Sequence, residues 1–171
     1  MIFKAKDLTK KERRSKNNPF FGVYVDGDYD LLASVMARYP SAIVTLETAL
    51  SLYGITDAFV SAPFFLSFNV GYRPVKEKEV IQIWESRDTR TIGAIKLERE
   101  GVMFLCYDKE RLLIELFRHE KRVDLEAFRS AIFYYRKAAN DGTLNLPKLR
   151  EYCQSIPKSK KYLERIRREI L

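Results

Sequence analysis

Phe104-Leu105-Cys106-Tyr107-Asp108-Lys109-Glu110-Arg111-Leu112-Leu113-Ile114-Glu115-Leu116-Phe117 is the stretch in which the chain changes its period. Up to Tyr107 the sequence reads as strands. Phe64, Leu66, Phe68 and Val70 alternate with Phe65, Ser67 and Asn69, and Val80–Trp84, Thr91–Leu97 and Val102–Tyr107 are short apolar runs divided by polar turns. Such a period of two places alternate side chains on opposite faces of a sheet. From Asp108 the apolar residues recur at helical spacing. Asp108 suits an N-cap, and Leu112, Leu113, Leu116 and Phe117 fall on one face.

Working outward from this switch, everything downstream is helical. One helix is expected from Asp124 to Ala139 with Leu125, Phe128, Ile132 and Tyr135 inward, until Asn140-Asp141-Gly142 breaks it. Pro147 opens the next, with Leu149, Tyr152 and Cys153 inward. A last one starts near Pro157 and buries Tyr162, Leu163, Ile166 and Ile170. Upstream, Asp28–Tyr39 carries the stripe Leu31, Leu32, Val35, Met36 and Tyr39 and is stopped by Pro40. Thr45 is placed to cap a helix over Leu46–Tyr53, with Gly54 as its left-handed terminator. Strands followed by helices predict an α+β fold: a mixed or antiparallel sheet of about four or five strands, N-terminal helices, and a C-terminal set of about four helices.

The 171 residues, 46% of them hydrophobic, suffice for one domain with a real core. No apolar run approaches the roughly 18–20 residues of a membrane helix, so no membrane partner is expected. The first sixteen residues carry charge where a signal peptide would be apolar. Two cysteines, Cys106 and Cys153, are too few for a disulfide framework, and a reducing cytoplasm is the expected setting.

Thirty-one Lys and Arg against twenty-three Asp and Glu give a net charge of +8. It is concentrated at the ends: residues 1–18 carry +5, residues 140–171 carry +4, and the body between them −1. Clustered cations are the footprint of phosphate contacts, whose affinity comes from counterion release. Lys10, Lys11, Arg13, Arg14 and Lys16 lead into the aromatic run Pro19–Val25 and form the candidate DNA-binding set. Lys158, Lys160, Lys161, Arg165 and Arg168 form a secondary basic surface on the last helix. The plainer alternatives are a solvated tail and the wet face of an amphipathic helix.

A catalytic site is hard to assemble. His119 is the single histidine, beside charged residues at the end of a helix, where a solvated ring or a partner for the helix dipole is expected. Asp26, Asp28 and Asp30 follow a strand and could hold Mg²⁺ as nucleotidyltransferase carboxylates do, yet the upstream Gly-Ser turn of those enzymes is absent. A turn and a helix cap explain them more simply. Lys96 and Glu98 share one side of a strand, but the preceding acid of a nuclease set is missing. Cys106 reads as core packing. No P-loop or dinucleotide fingerprint occurs, so neither a cofactor nor a metal is expected.

Three segments carry a family resemblance. Ala42-Ile43-Val44-Thr45-Leu46-Glu47-Thr48-Ala49-Leu50-Ser51-Leu52-Tyr53-Gly54-Ile55 resembles the Ser/Thr-x-Glu-(Thr/Ser)-Ala-Leu-x-Leu-(His/Tyr)-Gly-Leu element of the AbiEi abortive-infection antitoxins. Asp108–Phe117 resembles that family's Pro-Glu-Arg-Thr-Leu-x-Asp-Leu helix start, and Asn145–Tyr152 its late Asn-Leu-x-Lys-Leu-x-x-Tyr helix. Asp108 stands where the family has Pro, at a capping position, and Glu115 where it tends to have Asp, expected at the surface. A winged helix-turn-helix normally precedes such a body. Lys11–Val25, ending in Phe21-Gly22-Val23-Tyr24-Val25, is similar only to its last piece, a basic helix and a Gly-(Leu/Val)-Tyr wing strand; its earlier helices have no counterpart here.

The resemblance implies a basic segment over 1–25 and an antitoxin body over 26–171. It implies a cytoplasmic, non-enzymatic bacterial antitoxin and transcriptional regulator. Its partners would be a cognate nucleotidyltransferase-like toxin and operator DNA, with no small-molecule substrate. The competing readings are a protein-interaction module without DNA binding, and a metal-dependent nucleotidyltransferase or nuclease.

Overall fold

The computed structural model describes residues 1–171. Strands β1 (Ile2–Lys4), β2 (Asn17–Phe20) and β3 (Val23–Val25) pair antiparallel in the order β1-β3-β2, with helix α1 (Lys10–Arg14) between the first two. The β2–β3 turn is Phe21-Gly22, where Gly22 takes φ +81°, a conformation open to a residue without Cβ.

Helix α2 (Leu31–Arg38) follows, capped by Asp30, whose Oδ1 accepts from the Ala33 amide at 2.7 Å. Its buried run Leu32–Ala37 is packed between this small sheet and a larger one. The larger sheet has five strands: β4 (Ile43–Val44), β5 (Phe64–Asn69), β6 (Val80–Glu85), β7 (Ala94–Arg99) and β8 (Val102–Tyr107), in the order β6-β5-β4-β8-β7. It is mixed, since β4 runs parallel to β8 and antiparallel to β5, while β5 runs parallel to β6. Phe64 to Phe68 are all buried, as in strands covered on both faces.

Between the strands lie α3 (Leu46–Leu52) and α4 (Arg87–Arg90); after them come α5 (Lys109–Arg118), α6 (Leu125–Asn140), α7 (Leu146–Ser155) and α8 (Lys160–Glu169). The fold is α+β, with the expected four C-terminal helices. Asp108 caps α5 by accepting from the Arg111 amide at 2.8 Å, and Gly54 ends α3 at φ +62°. Asp124 and Asn145 cap α6 and α7 in the same way. Phe20 and Val23 of the small sheet belong to the same apolar cluster as Ile166 of α8 and Ile170 just after it, so one core unites residues 1–25 with the rest.

Several expectations are corrected. The centre of the main sheet is two-residue β4, a strand that the periodicity does not announce. The strand expected at Thr91 begins at Ala94, because α4 precedes it and Arg90 is drawn inward. Its Nη1 donates to the Ser41 carbonyl at 2.6 Å and its Nε to Asn69 Oδ1 at 2.9 Å. On α6 the buried stripe is Ala131, Tyr135 and Ala138, leaving Leu125 59% exposed. Helix α8 starts at Lys160 and buries Ile166 fully, with Tyr162 and Leu163 half-buried.

Candidate nucleic-acid interface

The N-terminal basic segment owes its shape to a capping box. Thr9 Oγ1 accepts from the Glu12 amide at 3.3 Å, and Glu12 Oε2 accepts from the Thr9 amide at 2.8 Å. Lys10, Lys11 and Arg14 project from the resulting turn of helix, exposed and without an acidic partner. The other two cations of the expected set are used inside the fold. Arg13 curls back to donate Nε to the Leu8 carbonyl at 3.1 Å and Nη2 to the Ala5 carbonyl. Lys16 pairs with Asp26 at 2.7 Å and lies 4.6 Å from the Phe3 ring. The candidate phosphate contacts therefore reduce to Lys10, Lys11 and Arg14. Beyond them Phe21 stands 82% exposed at the hairpin tip, 5.5 Å from the Arg38 guanidinium.

The secondary basic surface divides similarly. Lys158, Lys160 and Lys161 are exposed and border a hollow of about 400 Å³. Arg165 is a strut, 2.8 Å from Glu120 and 3.0 Å from Glu169, lying over the Phe117 ring. Arg168 reaches the same Glu169 at 3.7 Å. Because α8 packs on α5 and α7 while the small sheet packs on α2, the fold does not merge the two basic clusters.

The carboxylates weighed as metal ligands do not converge. Asp26 is held by Lys16, Asp28 is exposed, and Asp30 caps α2 while binding Arg99 at 2.7 Å. Lys96 and Glu98 are exposed opposite Leu105 and Met103 in the β7–β8 ladder, with no acid among those cross-strand partners. Burial pushes the Cys106 thiol up to about 12 and the Cys153 thiol up to about 11, as expected of packing groups.

The most ionic place in the molecule is internal. Glu115, expected at the surface, is fully buried, as are Arg111 and Glu85. Arg111 Nε donates to Glu115 Oε1 at 2.8 Å and Nη1 to the Thr89 carbonyl at 2.9 Å. Arg118 Nη1 reaches Glu115 at 2.6 Å and Glu85 at 3.0 Å. His119, at the C-cap of α5 but half-buried rather than solvated, has Nε2 3.4 Å from both carboxylates. Glu85, Glu115 and His119 could in principle hold a cation, since their ligand atoms lie within 4.8 Å of one another. Two arginines already balance the two carboxylates, however, so a divalent ion would add uncompensated charge beside two buried carboxylates. The cluster is a structural lock between β6 and α5.

Burial alone would raise the Glu115 carboxyl, but His119, Arg111 and Arg118 hold it well below 4.5; burial would lower His119, but Glu115 and Glu85 raise it above 6.5. The depressed carboxyl stabilises the fold above the carboxylate range and ceases to as pH falls through its folded value. The raised imidazole stabilises it below pH 6.5 and ceases to as pH rises through its folded value. Both contributions coexist between about pH 5 and 6.5. Urea unfolding should show a stability maximum there, with a decline above neutrality that His119→Gln abolishes; equal declines in both proteins would refute the assignment.

No protein-family model matches the chain, and no curated protein matches it in sequence. No helix is long and apolar enough to cross a membrane.

Proposed function

We propose that the chain is the antitoxin of a bacterial abortive-infection pair, its 26–171 body neutralising a nucleotidyltransferase-like toxin and its N-terminal unit contacting operator DNA. In this reading it is a cytoplasmic regulator and not an enzyme. The observation that carries the proposal is that the three segments resembling the AbiEi antitoxins meet in space. Tyr53, from the first, donates its hydroxyl to the Tyr107 carbonyl at 2.7 Å, at the threshold of the second. Tyr152, from the third, donates to Asp108 Oδ2 at 2.9 Å, and Lys148 pairs with the same oxygen at 2.8 Å. Glu110 Oε1 accepts from the Asn145 amide at 3.0 Å. Tyr53, Lys148 and Tyr152, which match the family pattern, thus take part in joining the elements, together with Asp108, where the chain departs from it.

The DNA half is supported by α1 leading into the Phe21-Gly22 hairpin, with Lys10, Lys11 and Arg14 free. Five residues of helix, roughly 7.5 Å, are too few to read a major groove as a recognition helix does. The segment therefore suits backbone contacts, which set affinity and position rather than sequence choice.

Two measurements test the two halves. Growth arrested by the toxin encoded beside this gene should recover on co-expression of the chain, and failure to recover would reject the antitoxin reading. Fluorescence anisotropy with a duplex from its own promoter should show salt-dependent binding. The Lys10→Ala/Lys11→Ala/Arg14→Ala variant should bind roughly tenfold or more weakly, with its salt slope flattened by up to about 3. Unchanged affinity and slope would remove α1 from the interface.

A further inference from the structure

A third cationic feature lies beside the hairpin tip and outside both basic clusters. The end of α2 and the loop over residues 72–77 enclose a hollow of about 200 Å³ lined by Arg38, Tyr39, Tyr72, Arg73, Lys76 and Glu77. At roughly 30 Å³ per liquid water, that is room for a phosphate group and part of its hydration. Arg73 and Lys76 are exposed, and neither side chain makes an ion pair or hydrogen bond within the protein. Arg38 Nε is buried without a hydrogen-bond partner, 3.8 Å from Glu77 Oε1. The one acid of the hollow is already engaged: Glu77 Oε2 accepts from the Tyr39 hydroxyl and from the Lys76 amide. Three cations therefore face a single, hydrogen-bonded carboxylate.

The hollow is also preformed. Gln82 of β6 pins the loop by accepting from the Val75 amide at 3.0 Å and donating to the Arg73 carbonyl at 3.3 Å. Its aromatic wall is braced from behind, where Phe68 lies 5.7 Å from the Tyr39 ring and 4.9 Å from the Tyr72 ring. Such an arrangement costs little to organise when an anion arrives. Its position selects the anion. Arg38 spans from the hollow to the Phe21 ring, so whatever the hairpin tip meets continues onto Arg73 and Lys76.

We propose that this hollow seats a backbone phosphate of nucleic acid, extending onto the body the contact begun by the N-terminal unit. The inference rests on the DNA-binding half of the function proposed above. It makes the interface bipartite, with Arg38 as the residue shared by both parts. The tyrosines give the sugar–phosphate chain a firm wall, while the cations supply the counterion release that drives binding.

The test is anisotropy with the promoter duplex and a scrambled duplex across a salt series, using the full chain and the Arg73→Ala/Lys76→Ala variant. These side chains make no internal bond, so the variant should keep the wild-type unfolding curve. Binding to both duplexes should weaken about tenfold near 100 mM salt, and the salt slope should fall by about 2. Glu77→Gln, which removes the one negative charge, should tighten binding several-fold. If the α1 triple variant weakens binding while Arg73→Ala/Lys76→Ala does not, the hollow is excluded and the regulator reading stands. If the unaltered chain binds neither duplex, both fall. Inorganic phosphate alone, titrated at matched ionic strength, forms a second arm. Saturable phosphate binding lost in Arg73→Ala/Lys76→Ala, without any change in DNA affinity, would assign the hollow to a free anion and overturn the nucleic-acid site.

Discussion

Arg111→Met lowers the unfolding free energy by about 3–5 kcal/mol, which for a domain of this size brings the thermal midpoint down by roughly 10 °C. The loss comes less from the attraction forfeited than from what is left behind. With the guanidinium gone, Glu115 and Glu85, both buried, share only Arg118 and a half-buried His119. The Thr89 and Ile92 carbonyls lose their donor, and the Tyr107 ring loses the cation 4.7 Å from its centroid. Adding Glu115→Gln to Arg111→Met should restore part of the deficit by removing the surplus charge, so the two substitutions will not be additive. Urea titration of the two single variants and the double variant measures that coupling. A loss below about 1 kcal/mol for Arg111→Met, or strict additivity, would mean that the lock is not dry.

The same residues mark how far the sequence could be read. Helix starts were legible because Asp30, Asp108, Asp124 and Asn145 are short polar side chains set before apolar runs, a local signal. Strand β4 was not, since two residues cannot display a period and Ile43-Val44 is defined by neighbours from β5 and β8. Glu115 was read from its charge, which ordinarily means exposure. Leu112, Leu113, Ile114, Leu116 and Phe117 cover one broad side of α5, and Arg111, Glu115 and Arg118 share the other, which local spacing reads as a wet face although the fold buries it against β6. The second carboxylate of the cluster, Glu85, comes from β6, and no spacing rule reaches it. The basic segment was legible as a cluster but not residue by residue. Which cations fold back depends on where carbonyls such as those of Ala5 and Leu8 come to rest. The hollow at Arg38 gave no sequence signal, because residues 38 and 73 meet only through the packing of α2 against the sheet.

Gly93→Ala is expected to cost about 3 kcal/mol, from two sources that a control can separate. Gly93 adopts φ +75°, where a Cβ is strained by about 1–2 kcal/mol whatever surrounds it. Here the surroundings also object: a Cβ would lie 2.5 Å from Arg111 Cβ and 3.0 Å from Tyr152 Cε2. Arg111 Cβ cannot swing aside, being fixed to α5 and followed by a guanidinium held in the buried lock. Nor can the turn retreat, because the Gly93 carbonyl accepts from the Asp108 amide at 2.7 Å and anchors the helix start. Relief must come from separating α5 and α7 from the β7 edge, which loosens the junction where the three antitoxin-like segments meet. Gly142→Ala provides the control: its φ is +69°, but a Cβ there meets nothing within 4 Å, so only the backbone strain is incurred. Chemical denaturation of the two variants should place Gly93→Ala lower by about 1–2 kcal/mol. Equal stabilities would show that the close approach of glycine to Arg111 is absent. Because the N-terminal sheet packs on α2, away from this junction, the proposed function predicts that Gly93→Ala leaves DNA affinity intact at temperatures where it is folded while weakening toxin neutralisation.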